Sequence, residues 1–240
     1  VTQAERIPPQ VIPRPPDARP GAPAPWAALA PGDRRGLRLD TVVGAVAGHE
    51  ALTLGERVAF DGFPDPGAPS AVLVPLFEEA GETRVVLTRR AAHLRTHTGE
   101  VSFPGGRLDT GESPEDGARR EAAEEVGLDT AALELVGRLS ELRTFSSSSS
   151  ITPVVGLLPG RPALAPNPAE VEHVFDVALA DLAADGVFRE ERWRVPGRPR
   201  TPFTDAEGWF PVWFFELPHD IVWGATARML VELLRLALGV

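Results

Sequence analysis

Arg120-Glu121-Ala122-Ala123-Glu124-Glu125-Val126-Gly127-Leu128 closes a segment that opens with Phe103-Pro104-Gly105-Gly106 and passes through Glu112. On an α-helix, residues three and four apart share a face, so Glu124 and Glu125 both lie on the face of Glu121. Three carboxylates crowded on one side of a short helix repel each other at neutral pH. A fold does not adopt that arrangement for stability. A hard divalent cation relieves the repulsion, because Mg²⁺ takes oxygen ligands and commonly bridges to phosphate. The spacing therefore predicts a metal-dependent site for phosphoryl chemistry. The bland alternative is a solvated acidic face, which is what most charge runs are. It leaves the Gly105-Gly106 loop without a role.

The helix that carries these residues is specified at both ends. Ser113 suits the N-cap and Pro114 the first helical position, while Glu115 and Asp116 favour the positive end of the helix dipole. Gly127 is a natural stop. The expected span is Pro114 to Val126.

The surrounding chain restricts the function classes. Its 240 residues suit one domain with extensions, and a net charge of −10 argues against a nucleic-acid binder or a partner for anionic membranes. The chain has no cysteine, which excludes disulfides, zinc–thiolate sites and thiol catalysis and fits a cytoplasmic location. No stretch reaches the roughly 20 apolar residues of a membrane span. The chain begins at Val1 with no apolar signal core.

Residues 1–35 are proline-rich and read as an extended or disordered arm, with Trp26 as its anchor on an apolar surface. Residues 36–68 read as a partly helical extension, and residues 69–240 as the main domain. Within it, strands are expected at 71–77 and 84–88, joined by a hairpin turn over 78–83. Further strands are expected at 100–103, 133–142, 152–158, 171–178, 191–195 and 209–217. A short helix is expected after Leu179, and an amphipathic helix over Gly224 to Leu238 with Met229, Leu230, Leu233, Leu234 and Ala237 on its apolar side. Mixed strands with few helices indicate an α/β or α+β class.

The acidic segment resembles the Nudix box: Gly, five residues, Glu, seven residues, Arg-Glu, an apolar residue, any residue, Glu-Glu, any residue, Gly, apolar. Gly106, Glu112, Arg120, Glu121, Ala122, Glu124, Glu125, Gly127 and Leu128 occupy its constrained positions, and none departs. The resemblance implies a mixed β-sheet sandwiched between helices. A second run, Val86 to Gly106, resembles the extra motif of the coenzyme A pyrophosphatase branch of Nudix hydrolases. Arg90, Ala91, Arg95, Gly99 and Phe103 fall in place, and only Val86 replaces a leucine. The segments Thr152 to Gly156 and Ile221 to Arg228 also look like that branch.

The resemblance implies roles. Glu121, Glu124 and Glu125, with Glu112, would hold Mg²⁺ or Mn²⁺, and Arg120 would orient Glu121. The general base is open between Glu121 and a distant carboxylate, for which Glu170 is the candidate. Arg90, Arg95 and His97 put cationic or donor groups beside the loop, and arginine is well suited to phosphate. His93 lies in the same run. Gly105 and Gly106 would let the backbone turn and approach phosphates. Ser146 to Ser150 could donate hydrogen bonds but read more simply as a polar loop. Trp193, Trp209, Trp213 and Trp223 read mostly as core or interface. The expected substrate is a small nucleotide, coenzyme A or an acyl derivative. The products would be 3′,5′-ADP and a phosphopantetheine. ADP-ribose, NADH and nucleoside triphosphates stay open as alternatives, as does a nucleotide-sensing domain without catalysis. Homodimerisation is implied by the resemblance alone.

Overall fold

In the computed structural model, which describes residues 9–52, 68–94, 97–143, 150–195, 197 and 204–240, Ala80 and Gly81 both take positive φ, 53° and 81°. A two-residue hairpin turn asks for that conformation, because its twist then matches the strands it joins. It connects β2 (Pro69–Glu79) to β3 (Glu82–Arg90), with Glu79 opposite Glu82. Before them come β1 (Arg19–Pro20), a single 3-10 turn at Asp33–Arg35 and α1 (Leu39–Ala47). After them come β4 (Val101–Ser102), β5 (Gly105–Arg107), α2 (Pro114–Val126), β6 (Glu134–Arg138), β7 (Leu142–Arg143) and β8 (Ser150–Leu157). The chain ends with β9 (Val171–Ala178), α3 (Leu179–Leu182), β10 (Phe188–Trp193), β11 (Phe210–Glu216), β12 (Ile221–Trp223) and α4 (Gly224–Leu238).

The larger sheet runs β4-β3-β2-β8-β6, with β5 and β7 beside β2 and β8 and with β9 beside β3. Its β2–β8 pair is parallel and its other pairs are antiparallel, so the sheet is mixed. Alternate residues of β2 serve two cores. Val72, Val74 and Leu76 join α1 and α4 on one face, through Val42, Val46, Met229, Leu230, Leu233 and Leu234. Ala71, Leu73 and Phe77 join α2 on the other, through Ala118, Ala122 and Val126. The expected sandwich of sheet between helices is what the chain forms. No helix among the described residues is long and apolar enough to cross a membrane.

A second sheet runs β1-β10-β11-β12. The proline-rich arm is woven into it. Arg19 and Pro20 pair with β10, while the Gln10 side-chain amide donates to Ile221 O (3.0 Å) and accepts from Ile221 N (2.6 Å) at the far edge. Trp26 is fully buried, packs on Phe188 and Phe215, and donates its Nε1–H to Ala183 O at 3.1 Å. Trp193 and Trp223 pack with Phe214, and the Arg19 and Arg194 guanidinium groups both lie against the Trp209 ring.

Three expectations change, the first being the turn expected over 78–83, which narrows to Ala80 and Gly81 because the strands stay paired as far as Glu79 and Glu82. The strand expected over 133–142 is broken, because Ser140 N–H turns away to donate to the Glu232 carboxylate of α4 (2.9 Å). The strand expected over 191–195 instead starts at Phe188 and stops at Trp193.

Candidate active site

The local sequence builds α2 as expected. Ser113 Oγ accepts from Asp116 N–H at 3.1 Å, Pro114 opens the helix, and Gly127 ends it with φ of 63°. Burying Ala118, Ala122 and Val126 in the core aims Glu121 and Glu125 at the edge of that face, beside β5. Contact there is close. A Cβ on Gly106 would stand 2.5 Å from the Glu121 carboxyl carbon, and one on Gly105 would stand 2.4 Å from Ala71 O. Neither glycine has positive φ among the described backbone outliers, so both are needed for approach to the helix and to β2 rather than for a turn.

Arg120 organises the outer half of the site. Its guanidinium takes both oxygens of Glu112, at 2.9 Å each, and donates to Glu121 Oε1 (2.9 Å), Glu124 Oε2 (3.2 Å) and Arg107 O (2.9 Å). Glu112 also accepts Asp109 N–H at 2.9 Å. The Arg120 fork, and then that backbone bond, hold the Glu112 carboxyl down at about 2. Arg120 itself is held protonated, chiefly by Glu112. Glu112 therefore clamps the loop between β5 and α2 to the helix.

The inner half is different. Glu125 is 3% exposed; its Oε2 accepts Gly105 N–H at 3.0 Å, and its Oε1 lies 3.6 Å from Arg90 Nη1. Burial pushes its carboxyl up to about 7, against the Gly105 bond and Arg90, with Glu170 and Glu121 adding repulsion. Burial also raises Glu121, with Arg120 opposing and Glu124 and Glu170 adding to the rise. The single acidic face expected from spacing thus divides. Glu121 and Glu125 turn inward, whereas the Glu124 side chain is 60% exposed and leans to Arg120 four residues before it.

The other expected residues fall around this pair. Glu170 is exposed, directly precedes β9, and its backbone O accepts Ala91 N–H at 2.8 Å. Its charge reaches both inner carboxylates. Arg90 ends β3. His97 takes φ of 55°, an uncommon conformation for a residue with a side chain, and its Nδ1 lies 2.8 Å from Glu100 Oε2. That carboxylate raises the imidazole's pKa. His93 Nε2 lies 3.0 Å from Ala169 O. Arg95 and Ser146 to Ser149 lie outside the described residues, and Ser150 begins β8. Phe103 is buried in the core. The contact of Arg90 with Glu125 had no signal in the sequence, since the two belong to different motifs.

The donor set suits a hard divalent cation. Every candidate ligand is a carboxylate oxygen. The inner pair carries negative charge that burial and repulsion disfavour, and a cation offsets both. No three acidic or histidine side chains among the described residues converge as a ready ligand set.

Comparison with known proteins matches residues 67–223 to the NUDIX domain family. Nudix hydrolase 22, chloroplastic, of Arabidopsis thaliana is 37% identical over 187 residues, covering 71% of this chain and 58% of its own length. Nudix hydrolase 3 of Caenorhabditis elegans is 37% identical over 121 residues, covering 49% of this chain and 50% of its own. This chain therefore spans little more than half the length of those two relatives. The uncharacterised Nudix hydrolase NudL of Photorhabdus laumondii is 33% identical over 174 residues, covering 70% of this chain and 84% of its own. A solved structure, the Nudix hydrolase RenU of M. smegmatis, covers 48% of this chain and 73% of its own at 24% identity. Its TM-score is 0.42, too low for a functional comparison.

Proposed function

The chain belongs to the Nudix family, and on that premise we propose that it hydrolyses the diphosphate bond of coenzyme A or an acyl-coenzyme A. The products are 3′,5′-ADP and the corresponding phosphopantetheine. The observation that supports this reading is the 3.6 Å approach of Arg90 to Glu125. Arg90 belongs to the run that resembles the coenzyme A branch, and Glu125 to the box shared by the whole family. The two motifs meet at one place.

Glu121, Glu125 and Glu124 would hold Mg²⁺ or Mn²⁺, with Glu112 near them. When bound, the ion would supply positive charge against the diphosphate and would acidify a water held on it. Arg120 keeps Glu121 from rotating away and ties the β5–α2 loop to the helix through Glu112. Gly105 N–H orients Glu125. Arg90 and His97 would face the anionic substrate, where arginine forks bind phosphate oxygens, and Arg95 is assigned the same role from its place in the run alone. Glu170 is the candidate base. It takes a proton from water as the water oxygen bonds to one phosphorus and the bridging P–O bond breaks. Its exposure lets it reach solvent while its charge is felt at Glu121 and Glu125.

The test is product analysis with Mg²⁺ or Mn²⁺ on coenzyme A, ADP-ribose, NADH and a nucleoside triphosphate, with Glu125→Gln as control. Release of 3′,5′-ADP from coenzyme A that the variant lacks supports the proposal. Turnover of another panel member alone refutes the coenzyme A reading and leaves a Nudix hydrolase of different substrate. No turnover of any member favours the nucleotide-sensing alternative.

A further inference from the structure

Arg89 and Arg90 are neighbours at the end of β3 and point to opposite faces of the sheet. Arg90 faces α2 and Glu125. Arg89 is 2% exposed on the other face, with its Nη1 donating to Asp220 Oδ1 at 2.9 Å and its Nε 3.4 Å from Glu172 Oε2. Asp220 is 6% exposed, and its second oxygen lies 3.1 Å from His173 Nε2. It sits in the turn between β11 and β12, which Leu217 N–H closes onto Asp220 O at 2.9 Å. The ion pair therefore ties the end of β3 in one sheet to a turn in the other.

The backbone is irregular at the same point. Arg89 lies opposite His173 and Arg90 opposite Val171, so Glu172 is an extra residue in β9. A bulge of this kind bends its strand and re-aims side chains. Here it lets two consecutive residues, Glu172 and His173, both serve the Arg89 network. The loop after β3 passes near the same group, for a Cβ on Gly99 would stand 3.6 Å from Arg89 Nη2. A buried ion pair is a poor device for stability alone, since apolar residues of similar volume often do as well or better. Its gain is fixed geometry at the step where Arg90 turns toward the carboxylates.

We propose that Asp220 is a positioning residue of the candidate site: through Arg89 it sets the end of β3 so that Arg90 stands against Glu125. The inference rests on Arg90 belonging to that site and not on which diphosphate is the substrate.

The test uses the full chain and five forms: wild type, Asp220→Ala, the apolar pair Arg89→Met with Asp220→Leu, Arg90→Ala, and the apolar pair combined with Arg90→Ala. The first readout needs no substrate: the ¹⁵N heteronuclear NOE of the Arg90 Nε–H in arginine-labelled protein. The second is KM and kcat on whichever panel member is hydrolysed. Removing Asp220 is expected to mobilise Arg90 and to raise KM about tenfold with kcat within about threefold. The apolar pair is expected to restore the melting temperature while leaving Arg90 mobile and KM high. Placed on top of Arg90→Ala, it should change KM by less than about twofold. The proposal is overturned if the apolar pair keeps Arg90 ordered, or if its KM effect persists in full without Arg90. If Asp220→Ala does not fold, the apolar pair decides alone. If no substrate is hydrolysed, the NOE decides, and only the hydrolase reading fails.

Discussion

Arg90 Nη1 stands 3.6 Å from Glu125 Oε1, although one residue ends a strand and the other lies in the last turn of a helix. At that distance the arginine offsets part of the charge of a buried carboxylate without neutralising the group around it. Glu121, Glu125 and Glu170 share the space. Carboxylates outnumber arginines there, and a cation would offset the difference.

This imbalance predicts a pH-dependent stability in the metal-free protein. Glu125 has an ordinary value of 4.5 when unfolded and about 7 when folded. The folded state holds the proton more tightly, so the contribution is fully present below 4.5 and is lost as pH rises through 7. Glu125→Gln removes the loss. In a chelator, its melting temperature should rise relative to wild type between pH 4.5 and 7 and stay level above. The full difference is at most roughly 3 kcal/mol. Thermal melts of both proteins across that range are the measurement. An offset independent of pH would show that Glu125 is not held against its charge.

Metal addition should reverse the order. Mg²⁺ or Mn²⁺ at 100 times its Kd stabilises the wild type by about 2.7 kcal/mol, and Glu125→Gln should lose most of that gain. The same variant should lose activity by at least on the order of 100-fold, since an ion's charge stabilisation is worth several kcal/mol and each 1.36 kcal/mol is tenfold. Melts with and without metal beside initial rates separate the two effects. An equal metal response in both proteins would remove Glu125 from the ligand set.

The two loop glycines should fail differently. Alanine at 106 meets the Glu121 carboxyl, the movable end of a side chain, whereas alanine at 105 meets the backbone of β2. Gly106→Ala should fold with a loss under about 1 kcal/mol and lower kcat by roughly tenfold or more by displacing Glu121. Gly105→Ala should be destabilised by about 1–3 kcal/mol, as overpacking usually is. Urea melts with rate measurements test the contrast. Equal stability losses in the two variants would contradict it.

Trp26 should prove to be part of the core despite its place in a proline-rich arm. It is fully buried and hydrogen-bonded to Ala183 O. Trp26→Ala should cost about 3–5 kcal/mol. A denaturation midpoint close to wild type would show that the arm is dispensable to folding.

What neighbouring residues dictate was legible in the sequence. The ends of α2 follow from Ser113, Pro114 and Gly127, and α4 spans the apolar periodicity from Gly224 to Leu238. What depended on a distant partner was not. The short strand Gly105–Arg107 has no β-forming signature and exists because Ser70, Ala71 and Val72 pair with it. The break after Arg138 is made by Glu232, on the last helix. The burial of Trp26 depends on Phe188, Phe215 and Ala183, all far along the chain.

For the site, the sequence alone determined which carboxylates travel together, because helical spacing is a local property of Arg120 to Glu125. It also determined that a glycine loop and an arginine-bearing run precede them. Tertiary structure decided how each charge is balanced. Glu124 faces solvent, Glu125 is buried under Gly105, Arg90 stands beside it, and Arg89 is locked to Asp220 of the second sheet. Desolvation and Coulomb energy depend on burial and distance in space, and residue spacing along one strand or helix carries neither.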